Sequence, residues 1–217
     1  MIKYGLILTQ MLGFVLYAQA QDPLRFQKEV DQLTQKYADA SLEEDLILFT
    51  GSSSVKGWKN LSDYFPEQRM INTGFGGSQT SDLLYYADDL ILHYKPQKIF
   101  IYEGDNDIFS GKSTAEILED MQKLVEKIKS QLPDSEIFLI SAKPSISRWH
   151  LKDKYLDLNQ HFKEYSQSNE NVQYVDIWTT MLDEEGEPKA RIFLDDKLHM
   201  NKAGYDLWAE VIGRYMR

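Results

Sequence analysis

Residues 46–58 read LILFTGSSSVKGW, an apolar run that meets a tight turn of small residues carrying three hydroxyl groups. The run over 46–50 predicts a buried strand, and the GSSS turn predicts that the strand ends there. In an open α/β sheet, ligands bind in the crevice beyond the carboxyl ends of the strands. A serine placed directly after the first strand therefore lies where a substrate would lie, and we expect the chemistry to start at this turn.

The rest of the chain alternates between strand-like and helix-like patterns. Further apolar runs predict strands over 70–73, 98–103, 136–142 and 172–177, and helices are predicted over 26–37, 83–94, 117–132, 151–165 and 207–215. Three helices have recognisable caps, namely Asp22 before Pro23, Ser113 with Glu116, and Asn201. Because crossover helices cover both faces of a parallel sheet, the alternation predicts a doubly wound, three-layer α/β/α fold with a parallel five-stranded sheet.

The first twenty residues read as a secretory signal peptide. Lys3 precedes an apolar stretch over 4–18, and Ala18-Gln19-Ala20 has the small-x-small form of a cleavage site. A retained membrane anchor is the alternative, but Gln10 interrupts a stretch that is short for a span. We therefore expect residues 1–20 to be removed, with no stable membrane insertion afterwards, and residues 21–217 to form a single secreted or periplasmic domain.

Composition excludes several classes of function. The formal net charge is −10, so nucleic acid and anionic membranes are poor partners for the surface as a whole. The chain contains no cysteine, which excludes disulfides, thiolate catalysis and cysteine-ligated metals. We expect neither a metal nor a cofactor.

Glycine turns after strands are common in phosphate-binding folds, but the motifs of those folds do not match. A dinucleotide-binding pattern that began at Gly74 would need a glycine where Gln79 stands. Gly111-Lys112-Ser113 lacks the earlier glycine of a phosphate loop, and Phe109 and Ser110 do not fit a calcium-binding loop.

Nucleophilic catalysis by a serine fits the sequence better. Such catalysis needs a base for the hydroxyl proton, an acid that orients the base, and donors for the developing oxyanion. Of the four histidines, His93 is predicted at a helix end and His161 within a helix, whereas His150 lies in a loop and is the alternative base. His199 follows Asp196 by three residues, and a nearby carboxylate can fix the imidazole tautomer.

Four short blocks, taken together and in order, resemble those of the SGNH hydrolases of the GDSL esterase and lipase family. The blocks are Gly51-Ser52-Ser53 with Gly57-Trp58, Asn72-x-Gly74-x-Gly76-Gly77, Gly104-Asp105-Asn106-Asp107, and Asp196-Lys197-Leu198-His199. They extend over most of the chain after the predicted signal peptide. The resemblance implies a flavodoxin-like SGNH hydrolase fold and one SGNH/GDSL hydrolase domain.

The same resemblance implies roles for individual residues. Ser53 would be the nucleophile, His199 its base, and Asp196 the residue that orients the base. The oxyanion would be bound by the backbone N–H groups of Ser53 and Gly77 and by the Asn106 side chain. Ser52 stands where the family usually has aspartate, but that position does not belong to the catalytic three.

The sequence therefore predicts a secreted, metal-independent serine esterase that works through an acyl-enzyme intermediate, on short-acyl esters of carbohydrate or a similar polar alcohol. The alternatives on the same site are a lipase or lysophospholipase-type acylhydrolase and an acyltransferase. From another class, a carbohydrate- or lipid-binding protein could use Trp58 and Trp149 as stacking surfaces. The candidate substrate contacts are Trp58 and three residues that follow the fourth strand, Lys143, Arg148 and Trp149. For these three, an ordinary exposed loop is an interpretation of at least equal weight.

Overall fold

The computed structural model describes residues 22–40 and 45–216. The predicted signal peptide, residues 1–20, lies outside this part of the chain. Within it, no helix is both long and apolar enough to cross a membrane.

Five parallel strands form the central sheet. They are β1 (Ile47–Gly51), β2 (Met70–Asn72), β3 (Lys98–Tyr102), β4 (Glu136–Ile140) and β5 (Val172–Val175). Every strand pair is parallel, and the order across the sheet is β2-β1-β3-β4-β5. The prediction of a doubly wound parallel five-stranded sheet is confirmed, with each strand within a few residues of its predicted bounds.

The strand order positions the functional crevice. β2 lies on one side of β1 and β3 lies on the other, because the chain forms β2 first and then crosses back over β1 to form β3. Loops that leave β1 and β3 therefore diverge at their carboxyl ends, beyond Gly51 and Tyr102, which are register partners. This is the switch point at which doubly wound folds bind ligands.

Nine α-helices are assigned within the described residues. They are α1 (Gln27–Lys36), α2 (Ser53–Lys56), α3 (Leu61–Tyr64), α4 (Thr80–Tyr85), α5 (Ala87–Leu90), α6 (Asp105–Phe109), α7 (Thr114–Gln131), α8 (Lys152–Gln167) and α9 (Lys202–Ile212). The helices α1, α4, α5, α7 and α8 cover one face of the sheet, and α2, α3 and α9 cover the other.

Alternate side chains of each central strand belong to the hydrophobic layers on opposite faces of the sheet. Ile99 and Ile101 of β3 pack in the layer under α7. Phe100 and Tyr102 pack in the opposite layer, with Trp208 of α9. Successive side chains of a strand point to opposite faces, so a continuously apolar strand is buried on both sides.

The predicted caps are present. Asp22 Oδ1 accepts the Leu24 N–H at 2.9 Å, and Asn201 Oδ1 accepts the Gly204 N–H at 3.3 Å. The Ser113 and Glu116 side chains each accept the other's backbone N–H, as in a capping box.

The single helix predicted over 83–94 is wrong, because the structure breaks this segment into α4, α5 and a 3-10 turn, Leu92–Tyr94. Buried side chains occur throughout the segment, at Tyr86, Ala87, Leu90, Ile91, Leu92 and Tyr94. One straight helix buries only one stripe of side chains. The breaks at Tyr86 and Ile91 turn the successive pieces so that all these side chains reach the core.

Candidate active site

The turn after β1 is held tightly against β3. Gly51 has φ +120°, and a Cβ at this position would lie 2.0 Å from the Tyr102 carbonyl oxygen, so only glycine fits. The next residue, Ser52, donates its N–H to the same carbonyl at 3.0 Å. The Ser52 hydroxyl is buried and has no partner among the described residues. The chain thus leaves the sheet abruptly, and Ser53 becomes the first residue of α2.

Ser53 lies at one end of a line of hydrogen bonds. Its Oγ is 3.0 Å from Nε2 of His199, and the His199 Nδ1 is 2.6 Å from Oδ2 of Asp196. The other carboxylate oxygen of Asp196 accepts the backbone N–H groups of Leu198 and His199, each at 2.9 Å. The loop that carries Asp196 therefore holds its own histidine ring in place.

The environment of Asp196 keeps its carboxylate ionised. Burial acts to raise the pKa, but the hydrogen bonds from the His199 ring and from the backbone N–H groups of Leu198 and His199 outweigh it and lower the pKa to about 2. A carboxylate can only accept, so His199 Nδ1 carries the proton in this pair. The opposite nitrogen, Nε2, is then free to accept a proton from Ser53.

Three hydrogen-bond donors surround the same turn. The backbone N–H groups of Ser53 and Gly77 have no hydrogen-bond partner within residues 22–40 and 45–216. Gly77 has φ +83° and is exposed, with open space where a side chain would be. Asn106 donates from Nδ2 to the Ser78 carbonyl at 2.9 Å, and its amide nitrogen has a second hydrogen to offer.

The loops that carry these donors are tied together. The Phe75 N–H donates to the Gly51 carbonyl at 2.8 Å, which joins the glycine loop after β2 to the end of β1. Asn72 donates from Nδ2 to the Val55 carbonyl at 2.7 Å and accepts the Gly74 N–H at 3.0 Å. The asparagine of the glycine block thus links that loop to the helix that begins at Ser53.

A buried charge cluster lies beneath the site, centred on Asp105. Its carboxylate accepts from Arg148 Nη1 at 2.6 Å, from Tyr102 at 3.1 Å, and from Tyr155, and Lys143 Nζ is 3.7 Å away. Burial raises the pKa of Asp105, but the charges of Lys143 and Arg148 outweigh it and the pKa is lowered. The carboxylate therefore stays ionised inside the protein.

Lys143 and Arg148 connect this cluster to the two loops of the site. Lys143 is fully buried and donates to the Leu198 carbonyl at 2.7 Å, one residue before His199. Arg148 donates to Oδ1 of Asn106 at 3.2 Å, which orients the amide. Both were predicted as substrate contacts, but Lys143 has no exposed surface and Arg148 is nearly buried, so the structure makes them internal supports.

The two tryptophans predicted as stacking surfaces differ. Trp58 is a core residue with 1% of its surface exposed, packed edge-on against Phe49 and stacked on Tyr205 at a centroid distance of 5.3 Å. Its ring is enclosed by the protein's own aromatic residues and offers no face to a substrate. Trp149 is partly exposed and stacks on Trp178 at 5.8 Å.

The remaining histidines lie in other environments. His150, the alternative base, is exposed in the 3-10 segment Trp149–Leu151. His161 bonds through Nδ1 to the Asp157 backbone carbonyl at 2.8 Å, and His93 packs edge-on against Tyr94. Within the described chain, His199 is the histidine that hydrogen-bonds to Ser53.

A buried carboxyl group missed by sequence reasoning supports the Asn106 donor. The Ser78 hydroxyl, from the residue whose carbonyl accepts Asn106, donates to Oε1 of Glu103 at 2.6 Å. Burial, with the nearby charge of Asp107, raises the pKa of Glu103 well above its usual value. The sequence did contain a signal for this residue, namely a glutamate at the end of an apolar strand. Such a side chain must either enter the site or be buried with hydrogen-bond partners.

Solved structures share this architecture. A protein from Streptococcus pneumonia, provisionally named a platelet activating factor, aligns with TM-score 0.79 and 24% identity, over 96% of this chain and 100% of its own. A GDSL-like lipase from Bacteroides thetaiotaomicron has TM-score 0.72 and 20% identity, over 90% and 97%. An acetylxylan esterase from Geobacillus stearothermophilus has TM-score 0.66 and 17% identity, over 80% and 94%, and two of its structures are catalytic mutants that replace a serine or a histidine by alanine.

The sequence comparisons agree with the fold. No curated protein sequence matches the chain significantly. Residues 20–207, however, match the family model described as the GDSL-like lipase/acylhydrolase family, and this range includes every block quoted above. The chain belongs to the GDSL-like lipase/acylhydrolase family, whose members are hydrolases that act on esters.

Proposed function

We propose that the protein is a serine esterase with Ser53 as nucleophile, His199 as general base and Asp196 as the residue that orients the base. The observation that carries this proposal is the line of hydrogen bonds from Ser53 Oγ through His199 to Asp196, with distances of 3.0 and 2.6 Å. Such a line lets a weakly acidic hydroxyl lose its proton as it attacks a carbonyl carbon. The catalytic serine and histidine of the Geobacillus esterase are consistent with it.

The first half of the reaction forms an acyl-enzyme. Ser53 Oγ bonds to the ester carbonyl carbon while His199 Nε2 takes the hydroxyl proton. The carbonyl oxygen becomes an oxyanion, which the N–H groups of Ser53 and Gly77 and the amide of Asn106 would bind. The bond to the alcohol oxygen then breaks, and the alcohol leaves with the proton that His199 returns to it.

The second half restores the enzyme. A water molecule attacks the Ser53 acyl ester as His199 Nε2 takes one of its protons, and the same donors bind the second oxyanion. The bond from the carbonyl carbon to Ser53 Oγ breaks, the carboxylic acid leaves, and His199 returns the proton to the serine. Asp196 stays ionised throughout and stabilises the imidazolium.

The substrate we propose carries a short acyl group, in particular acetyl, on a carbohydrate or a similar polar alcohol. The Geobacillus neighbour acts on acetylated xylan, and Trp149 offers a partly exposed ring near Arg148 that could stack on a sugar. We also propose that the protein is exported, on the signal-like pattern of residues 1–20. Secretion would bring the site to extracellular or periplasmic esters.

The test is a comparison of kcat/KM for acetyl, butyryl, octanoyl and palmitoyl esters of one alcohol, together with acetate release from acetylated xylan. We expect the highest value for acetyl esters, because each additional methylene gains about 0.8 kcal/mol only where an apolar groove buries it. Ser53→Ala should abolish turnover, and Ser54→Ala, one residue along the same helix, should retain most of it. A value that rises to palmitoyl without acetate release would make the protein a lipase.

Product analysis separates hydrolysis from acyl transfer. The same reaction is run with a competing alcohol or sugar in excess, and the acylated product is measured against free acid. Free acid as the main product supports the esterase. A dominant transferred ester would assign the acyl-enzyme to a transferase instead.

A further inference from the structure

A second concave surface lies beside the candidate active site, between α1, the segment that follows α2, and β2. Its volume is about 650 Å³, within the range of ordinary small-molecule pockets. The charged residues that line it are Arg25, Lys28, Glu29, Lys36, Lys56 and Lys59. We call this surface the α1 cleft.

The charge of the α1 cleft is opposite to that of the chain. Five cationic side chains and one carboxylate line it, a formal excess of four positive charges in a protein whose net charge is −10. A concave surface lined by one sign of charge concentrates ligands of the opposite sign. The acidic surface that disfavours polyanions elsewhere therefore has a local exception here.

Three of these cations have no internal carboxylate to neutralise them. Arg25 pairs with Asp82, and Lys56 pairs with Glu29 at 2.8 Å. The other three, Lys28, Lys36 and Lys59, are exposed and have no carboxylate partner within residues 22–40 and 45–216. Like charges gathered in one cleft repel each other, so an anion placed among them would relieve that repulsion.

The inner end of the α1 cleft adjoins the candidate active site. Lys56 is the last residue of α2 and follows Ser53 by three residues, which places both on the same face of this single helical turn. Its partner Glu29 accepts the Gly76 N–H at 3.2 Å, and a Cβ at Gly76 would lie 3.3 Å from Lys56 Nζ. The cleft therefore touches the loop that presents the Gly77 N–H.

We propose that the α1 cleft binds an anionic group, a carboxylate or a phosphate, on the alcohol portion of the ester substrate. An acetyl group carries no charge of its own, so the anion must belong to the alcohol. Lysine ammonium groups suit either anion, because they act as point charges and not as a planar fork. Gln32 and Ser62 add polar groups for sugar hydroxyls. This inference rests on the proposed esterase function of Ser53.

The kinetic test uses the acetyl esters of three related sugars, namely a methyl glucoside, a methyl glucuronoside and a methyl glucoside 6-phosphate. The double variant Lys28→Gln/Lys59→Gln removes two unpaired charges from the cleft. The matched control, Lys154→Gln/Lys163→Gln, removes two exposed lysines of α8 that have no charged partner in the described structure. Both variants change the net charge equally, so they differ only in where the charge is lost.

We expect the wild-type protein to prefer a charged ester, with the preference seen in KM and reduced by added salt. The cleft variant should lower the ratio of kcat/KM for the charged ester to that for the neutral ester about tenfold, because it removes two exposed charges that attract the anion. The control variant should leave the ratio unchanged. The uronate and phosphate arms show which anion is preferred. An unchanged ratio in the cleft variant would overturn the proposal.

Binding without turnover separates this inference from the proposed function. Calorimetry of the Ser53→Ala variant with methyl glucuronoside or inorganic phosphate measures binding of the anion to the cleft without any turnover. If the anion binds Ser53→Ala and this binding is lost when Lys28→Gln/Lys59→Gln is added, the cleft proposal is supported. This result would hold even if the wild-type protein hydrolysed no ester, and then the esterase proposal alone would fail. Absence of binding for both anions, in a protein that hydrolyses neutral esters, would overturn the cleft and leave the esterase intact.

Discussion

Lys143 Nζ donates to the Leu198 carbonyl at 2.7 Å, so a fully buried ammonium group holds the backbone one residue before His199. The charge is tolerated there because Asp105 lies 3.7 Å away and remains ionised. Arg148, on the same carboxylate, contacts Asn106. One buried cluster therefore contacts both the loop that carries His199, the proposed base, and the side chain of Asn106, the proposed oxyanion donor.

Lys143→Met should lower kcat by up to about 10²-fold with a smaller change in KM, because a displaced catalytic group costs rate more than binding. Steady-state kinetics on an acetyl ester measures both constants, and near-UV circular dichroism checks that the variant is folded. Lys154→Met, on the exposed face of α8, is the control. A folded Lys143→Met protein with normal kcat would show that the Leu198 contact does not position His199.

Asp196→Asn should lower kcat by about 10³–10⁴-fold, because an amide can present a donor to Nδ1 and favour the wrong tautomer. The pKa of Asp196 is lowered to about 2, so this group stays ionised on mild acidification. His150→Ala should retain activity. If His150→Ala abolished activity and His199→Ala did not, the assignment of His199 as the base would be refuted.

Asn106→Ala should lower kcat by about 10²–10³-fold with a smaller effect on KM, because it removes one preorganised oxyanion donor. Asn169→Ala, which removes a surface amide bonded to the Tyr165 carbonyl, is the control. Should kcat stay at the wild-type value, the role of Asn106 would be limited to its bond with Ser78.

Much of the fold could be predicted from the sequence because β1, β3 and β4 are buried on both faces and three helix starts carry recognisable caps. Continuous apolar runs indicated the strands, and Asp22, Ser113 and Asn201 marked helix starts that the structure confirms. The apolar pattern alone does not predict the strand order, because it shows that a strand is buried but not which strands are its neighbours. The flavodoxin-like order was implied only by the family resemblance.

The site could be predicted only where the residue type itself carries chemistry. Ser53, Asp196 and His199 were recognised in the sequence and lie in hydrogen-bond contact. The buried position of Lys143 could not be predicted, since a lysine after a strand usually lies in solvent and its burial depends on a carboxylate distant in sequence. Trp58 showed the same limit, because an aromatic residue at a loop fits both a stacking surface and a core.

Glu103→Gln should alter the pH dependence of stability. The pKa of Glu103 is raised well above its usual value by burial and by the Asp107 charge, so the folded protein keeps a proton that the unfolded chain loses above about pH 4.3. The free energy of unfolding should therefore fall as pH rises above that value, and the glutamine variant should lack this component.

The measurement is Tm at pH 5 and pH 8. The difference between Glu103→Gln and wild type should shift in favour of the variant at pH 8. Glu170→Gln, at an exposed position, is the control for the loss of one carboxylate. A pH-independent difference for Glu103→Gln would mean that Glu103 is ionised in the folded protein.

Covalent labelling of Ser53 tests the account most directly. The protein is treated with an activated phosphonate, digested, and the modified residue is located by mass spectrometry. We expect one adduct, on Ser53, formed much more slowly in His199→Ala and absent from Ser53→Ala, whose ester turnover is also lost. An adduct on Ser52 or Ser54, or continued turnover by Ser53→Ala, would contradict the assignment of Ser53 as the nucleophile.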